Sequence, residues 1–128
     1  MIRLFIDCKP TPKARPRLKK GGGAYTPKKT VIEEAVIGYT LNAEMSRHRL
    51  VPTSQAIRVE LGFYFRPAKS NKALFHIKTP DLDNLVKLAM DAMTGVVYLN
   101  DAQVISLYCY KHYHSEKEGI FINITRAV

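Results

Sequence analysis

Pro80-Asp81-Leu82-Asp83-Asn84-Leu85-Val86-Lys87-Leu88-Ala89-Met90-Asp91-Ala92-Met93-Thr94-Gly95 carries a helix period and a cluster of acids in the same sixteen residues. At 100° per residue, Leu85, Leu88, Ala89 and Ala92 fall on one stripe, and Asp83, Lys87, Asp91 and Thr94 on the opposite one. The pattern predicts an amphipathic helix over residues 82–94, ended by Gly95 at its C-cap. A helical Asp81 would point to the apolar side. In extended backbone just before the helix, which Pro80 permits, it points the same way as Asp83, because residues two apart share a direction there.

Acids are scarce here, 11 Asp and Glu against 20 Lys and Arg, so their crowding calls for a cause. Two carboxylates this close repel, and without a cation one is driven toward protonation. A divalent cation with oxygen ligands removes that penalty. Asp101, on the turn Leu99-Asn100-Asp101-Ala102, can supply a third oxygen ligand. Lys87, one turn from Asp83, can hold the carboxylates apart, contact a phosphate or stabilise a leaving oxygen. Asp91 lies two turns beyond Asp83 and reads as a partner of Lys87 rather than a ligand. Each residue alone has a plainer reading: Asp81 as an N-cap, Asp83 as a first-turn acid, Lys87 as an i, i+4 partner. A calcium loop counted from Asp81 is excluded by Val86 and Ala92 at its sixth and twelfth positions. No nucleophile elbow suggests a Ser/His/Asp hydrolase.

Upstream, residues 56–65 alternate (Ile57, Val59, Leu61, Phe63 and Phe65 against Arg58, Glu60, Gly62 and Tyr64), the period of a half-buried strand ended by Arg66-Pro67. Residues 68–78 form a basic, poorly patterned segment with Lys69, Lys72 and Lys78, whose Phe75 and His76 lead into the acidic motif. Residues 30–46 read as a helix with Val31, Ala35, Ile37 or Gly38, Leu41 and Met45 inward and Glu33, Glu34, Asn42 and Glu44 outward. Between Lys9 and Lys29 stand eight basic residues (Lys9, Lys13, Arg15, Arg17, Lys19, Lys20, Lys28, Lys29) and no acid. Pro10, Pro12, Pro16 and Pro27 forbid regular helix through most of that segment. Gly21-Gly22-Gly23 loosens its middle, and it reads as a flexible loop that orders on phosphates. Residues 1–8 read as a first strand. Downstream, residues 104–112 and 120–125 read as two strands that pair as a hairpin around Ser115–Gly119.

The order strand, basic loop, helix, strand, helix, strand, strand predicts an α/β (α+β) fold: one domain over 1–128, a mixed β-sheet packed by two helices. The 46% hydrophobic content supports a packed core. No apolar run reaches the roughly 18 residues that span a membrane, and the charged N-terminal run is not a signal peptide. The expectation is a cytoplasmic protein without a membrane partner. Cys8 and Cys109 are too far apart in sequence for a zinc ribbon or Cys-x-x-Cys motif and read as reduced thiols. The net charge of +9, concentrated in the N-terminal loop, points to a polyanionic partner.

The segment from Lys78-Thr79-Pro80-Asp81-Leu82-Asp83-Asn84-Leu85-Val86-Lys87 through Asp91-Ala92-Met93-Thr94-Gly95 to Asn100-Asp101-Ala102-Gln103-Val104 closely resembles the RusA family of Holliday junction resolvases. Lys9-Pro10-Thr11-Pro12-Lys13-Ala14-Arg15-Pro16-Arg17 and Tyr25-Thr26-Pro27 look like that family's N-terminal basic segment. The resemblance implies a homodimeric endodeoxyribonuclease that depends on Mg²⁺, with Mn²⁺ able to substitute, and needs no small-molecule cofactor. It implies binding of four-way junction DNA and paired nicking of opposed strands. The family's essential aspartates match Asp81, Asp83 and Asp101, which would hold the metal, and its essential lysine matches Lys87. Lys13, Arg15, Arg17, Lys19, Lys20, Lys28, Lys29, Lys69 and Lys72 are the expected DNA-binding residues. Many relatives carry an acid immediately before the last aspartate; here it is Asn100. Recombination, repair or phage genome processing is the implied setting, with a prophage origin plausible. The other readings are a non-catalytic protein that binds branched DNA and a less selective flap or fork nuclease.

Overall fold

The computed structural model describes residues 1–127. Its main sheet is built on β4 (Ile57–Phe65), whose inward residues Ile57, Val59, Leu61, Phe63 and Phe65 are all buried. β5 (Val104–Tyr113) pairs parallel with one edge of β4. β6 (Gly119–Arg126) pairs antiparallel with the other edge, and β1 (Ile2–Asp7) closes the sheet beside β6. The spatial order is β1-β6-β4-β5, a mixed sheet. Two helices, α1 (Lys28–Arg47) and α2 (Leu82–Met93), cover the buried face. The architecture is the expected one: a single α/β domain with two helices on a mixed sheet. No helix is long and apolar enough to cross a membrane.

The expected hairpin between the last two strands does not form. β4 separates β5 from β6. The cause is a competition for the centre of the sheet. β6 offers Ile120, Ile122 and Ile124, each at most 1% exposed, and gains most by lying between β1 and β4. β5 has an exposed run over Ile105–Tyr108 and takes the edge. Next-nearest strands stand roughly 10 Å apart, a gap that residues 114–118 span over the end of β4. The His114 N–H donates to the Phe65 carbonyl (2.8 Å), and the Arg66 N–H donates to the Glu118 carboxylate (3.1 Å). β4 therefore reaches β5 through α2, the crossover that parallel pairing requires.

α1 differs from its expected face. Thr30, Ile37, Leu41 and Met45 are buried, whereas Val31, expected inward, is 53% exposed. Gly38 lies against α2, where an added Cβ would stand 3.6 Å from the Ala92 carbonyl oxygen. That approach rotates Val31 away from the core. Between β1 and α1 the basic segment is more ordered than a loop. β2 (Arg17–Leu18) and β3 (Ala24–Tyr25) pair as a small hairpin. Gly21, Gly22 and Gly23 turn it with φ of 91°, 109° and 80°, values that cost other residues energy. Cys8 and Cys109 are free thiols, and burial pushes Cys8 up to about 11, with Glu33, Asp7 and Glu118 adding to it.

Candidate active site

α2 forms where the sequence predicts it, and its stripe divides as the wheel requires. Leu85, Leu88, Ala89 and Ala92 are buried, while Asp83, Lys87, Asp91 and Thr94 are exposed. Asp81 is the N-cap residue, in extended backbone at φ −71°, ψ 142°, and its carboxylate makes no capping hydrogen bond. The plain N-cap role for that side chain is therefore not used. Among the described residues, the side chains of Asp81, Asp83, Lys87 and Asp101 form neither an ion pair nor a hydrogen bond. These four exposed charged groups thus remain chemically available.

The third aspartate arrives on a built turn. Asp101–Gln103 is a short 3-10 turn capped by Asn100, whose side-chain oxygen accepts from the Ala102 N–H at 2.8 Å. The Gln103 amide oxygen accepts from the N–H groups of Leu99 (3.0 Å) and Asn100 (2.8 Å). Its amide nitrogen donates to the carbonyls of Thr53 and Gln55, both at 2.8 Å. Asn100 is thus a cap, and Gln103 bolts the Asp101 turn to the segment before β4. The Asn-x-x-Gln spacing of a capping box was the sequence signal for both roles.

The structure does not gather the three aspartates into one cage. Among the described residues, no group of three or more His, Cys, Asp and Glu stands where it could hold a metal ion. Asp81 lines a cavity of about 600 Å³ with Lys9, Lys13, Arg15, Lys29 and Asn84. Asp101 lines a second, of about 350 Å³, with Asp91, Glu34, Thr94 and Asn100. Burial raises the pKa of the Tyr98 phenol, and the charges of Asp101 and Asp91 add to the rise. Asp91 thus sits with Asp101.

Nor is Asp91 the partner of Lys87. Its carboxylate pairs with Lys13 at 3.2 Å, and the same ammonium donates to Glu34 at 2.7 Å. The Lys13 N–H also donates to the Asn84 carbonyl in the first turn of α2 (2.8 Å). Partial burial works against the Lys13 ammonium, but its hydrogen bonds to Glu34 and Asp91 outweigh it and raise its pKa. Lys13, one of the expected phosphate-binding residues, clasps the basic segment onto both helices in the free chain and lines both cavities. The other basic residues expected to bind phosphate, Arg15, Arg17, Lys19, Lys20, Lys28, Lys29, Lys69 and Lys72, are all exposed.

A further residue has no signal in the motif itself. Lys111 on β5 donates to the carbonyls of Lys78 (2.7 Å) and Pro80 (2.9 Å). These two bonds hold the peptide that leads directly into Asp81. Beside it, His76 is 7% exposed and packs between the rings of Phe65 and Tyr113, at centroid distances of 4.4 and 4.9 Å. Burial, then the Lys111 charge, lowers the pKa of its imidazole.

A comparison with curated proteins gave no match. The family model described as endodeoxyribonuclease RusA matches residues 7–125, a span that takes in both cavities, the clasp and the aspartate motif, and the chain therefore belongs to the RusA endodeoxyribonuclease family.

Proposed function

We propose that this protein resolves four-way DNA junctions by divalent-metal-dependent, paired nicking of opposed strands, acting as a homodimer. The observation that carries the reading is the occurrence of exposed, unbonded carboxylates at Asp81, Asp83 and Asp101 together with an acid-free basic segment bound to α2, the helix whose N-cap is Asp81 and whose first turn holds Asp83. A protein that only gripped phosphates would gain nothing from unpaired acids beside its cations.

The donor chemistry fits Mg²⁺. That ion keeps several waters and is held by one or two carboxylates together with substrate phosphates, so a closed protein cage is not required. Asp81, Asp83 and Asp101 are the residues proposed to hold it, with Mn²⁺ able to substitute. A bound divalent ion supplies an acidified water and polarises the scissile phosphate. Lys87, four residues after Asp83 and free of any ion pair among the described residues, places a positive charge beside the departing oxygen. Arg15, Arg17, Lys19, Lys20, Lys28, Lys29, Lys69 and Lys72 hold the flanking phosphates, each neutralised phosphate steepening the salt dependence of log K by roughly 0.9 on duplex DNA. A two-fold dimer matches the two-fold symmetry of the junction and supplies two cuts.

The test is incubation of end-labelled junction with purified protein in Mg²⁺ or in EDTA. Paired nicks in Mg²⁺ alone are expected. A retarded complex without product in either buffer would instead make the protein a branched-DNA binder. Equal cutting of flaps and forks would make it a less selective nuclease. Within this reading Lys111 is a positioning residue. Lys111→Met is expected to lower the single-turnover cleavage rate by roughly 10- to 100-fold, the scale of a 1 Å misplacement at a reacting centre. Junction affinity should hold, and Lys111→Arg should restore part of the rate. An equal loss of binding and cleavage would contradict that role.

A further inference from the structure

The segment between β4 and α2 has no regular secondary structure, yet it is tied down at three points. The Asn71 amide donates to the Tyr113 hydroxyl at 2.8 Å. His76 is stacked between Phe65 and Tyr113. Lys111 holds the carbonyls of Lys78 and Pro80. All three anchors sit at the end of β4 and β5. A loop fixed this way could have turned its apolar side chains inward. It does the opposite: Leu74 is 80% exposed, Phe75 69% and Ile77 87%. Only His76 between them points into the protein.

Large apolar side chains left in water forgo the stabilisation that burial gives, so a partner that covers these three is expected. Charge identifies its chemistry. From Arg66 to Pro80 the chain contains Arg66, Lys69, Lys72 and Lys78 and no acid. Three apolar tips set among cations, the last of them four residues before Asp81, suit a surface with apolar faces inside a phosphate frame. Stacked bases at a point where stacking is interrupted have that character, and proteins enter such steps with apolar side chains.

We infer that residues 74–77 form an apolar wedge that inserts Phe75 into the unstacked base step at a DNA branch point, with Leu74 and Ile77 against the flanking sugars. The inference rests on the junction-nuclease reading for the identity of the DNA. The anchored loop adds a function to that reading: it sets how far the branch point lies from Asp81, and so which phosphate reaches the aspartates. Lysines 69, 72 and 78 hold the backbone on either side of the inserted ring.

The experiment uses the full chain and a four-way junction carrying 2-aminopurine at the branch point, mixed in EDTA so that no cutting intervenes. Binding of the unmodified protein is expected to raise the fluorescence severalfold as the probe unstacks. Phe75→Ala is expected to abolish the rise and to weaken junction binding by about tenfold, within the range measured for loss of one aromatic–base stack. Binding to linear duplex of the same length should be unchanged, and Phe75→Trp should restore the rise. In Mg²⁺, Phe75→Ala should scatter the cleavage position over neighbouring phosphates. A full fluorescence rise in Phe75→Ala overturns the wedge, as does an equal loss of junction and duplex binding. So does a fall in the solution mass of the free protein on the same substitution, which would assign the surface to a second copy of the chain. The two readings fail separately: a rise without cutting in Mg²⁺ leaves the wedge and removes the nuclease, and cutting without a rise does the reverse.

Discussion

Asp83→Asn and Asp101→Asn are each expected to lower the single-turnover rate of junction cleavage by roughly a hundred- to a thousandfold, the scale of losing one preorganised electrostatic group at a reacting centre. The substitutions keep size and shape. They remove no ion pair or hydrogen bond, because neither carboxylate has one among the described residues. Asp83 stands exposed in the first turn of α2, where an amide costs at most the modest dipole term, about 0.3–1 kcal/mol. Asp101 stands on a turn whose caps come from Asn100 and Gln103 and do not involve its side chain. Folding should therefore be intact, as thermal melting will check. Junction affinity should hold or rise, since a negative charge beside phosphate is lost. Full cleavage by both variants in Mg²⁺ would remove the aspartates from the mechanism. Asp91→Asn provides the contrast. It removes one of the two ion pairs that clasp Lys13 and should loosen the basic segment, so its first effect should be on binding.

The largest expected effect on stability is at Gly119, where β6 begins. Gly119 pairs with Asp7 of β1, and a Cβ there would stand 2.1 Å from the Ile6 carbonyl oxygen and 2.8 Å from the Phe5 ring. The nearest atom is backbone inside a sheet ladder, so it cannot swing aside. Gly119→Ala is expected to cost about 3 kcal/mol, the upper end of overpacking penalties. For a chain of this size that is about 10 °C in Tm. Gly62 gives the internal comparison. Its added Cβ would also be crowded, at 2.5 Å, but by the Tyr110 ring, a side chain that can rotate away. Gly62→Ala should cost clearly less in the same melts, and equal losses would show that the Ile6 contact is not the cause.

Much of the candidate site was legible because it is local. The period of Leu85, Leu88, Ala89 and Ala92 placed Asp83, Lys87 and Asp91 on the exposed stripe. The step from Asp81 to Asp83 put Asp81 in extended backbone ahead of the helix, and the structure has it there. The Asn100–Gln103 capping box was equally local and was missed, although its spacing was available. Lys111 had no local signal. A lysine in an aromatic strand looks like any edge-strand lysine until the chain brings it beneath Lys78 and Pro80.

What the sequence by itself determined is the main elements, though not the small β2–β3 hairpin: four strand spans, two helices, an acid-free basic stretch and a helix face bearing acids. These follow from periodicity, proline and glycine, which act over a few residues. The tertiary structure alone decided who meets whom. It set β6 between β1 and β4, gave Asp91 to Lys13 rather than Lys87, and put Asp101 in a cavity apart from Asp81. Each outcome is a competition between distant partners. β6 wins the centre because three isoleucines need cover, and Lys13 wins Asp91 because the Asn84 carbonyl holds its backbone beside α2. Such contests are settled by burial and charge summed over the whole fold, which no local pattern of residues contains.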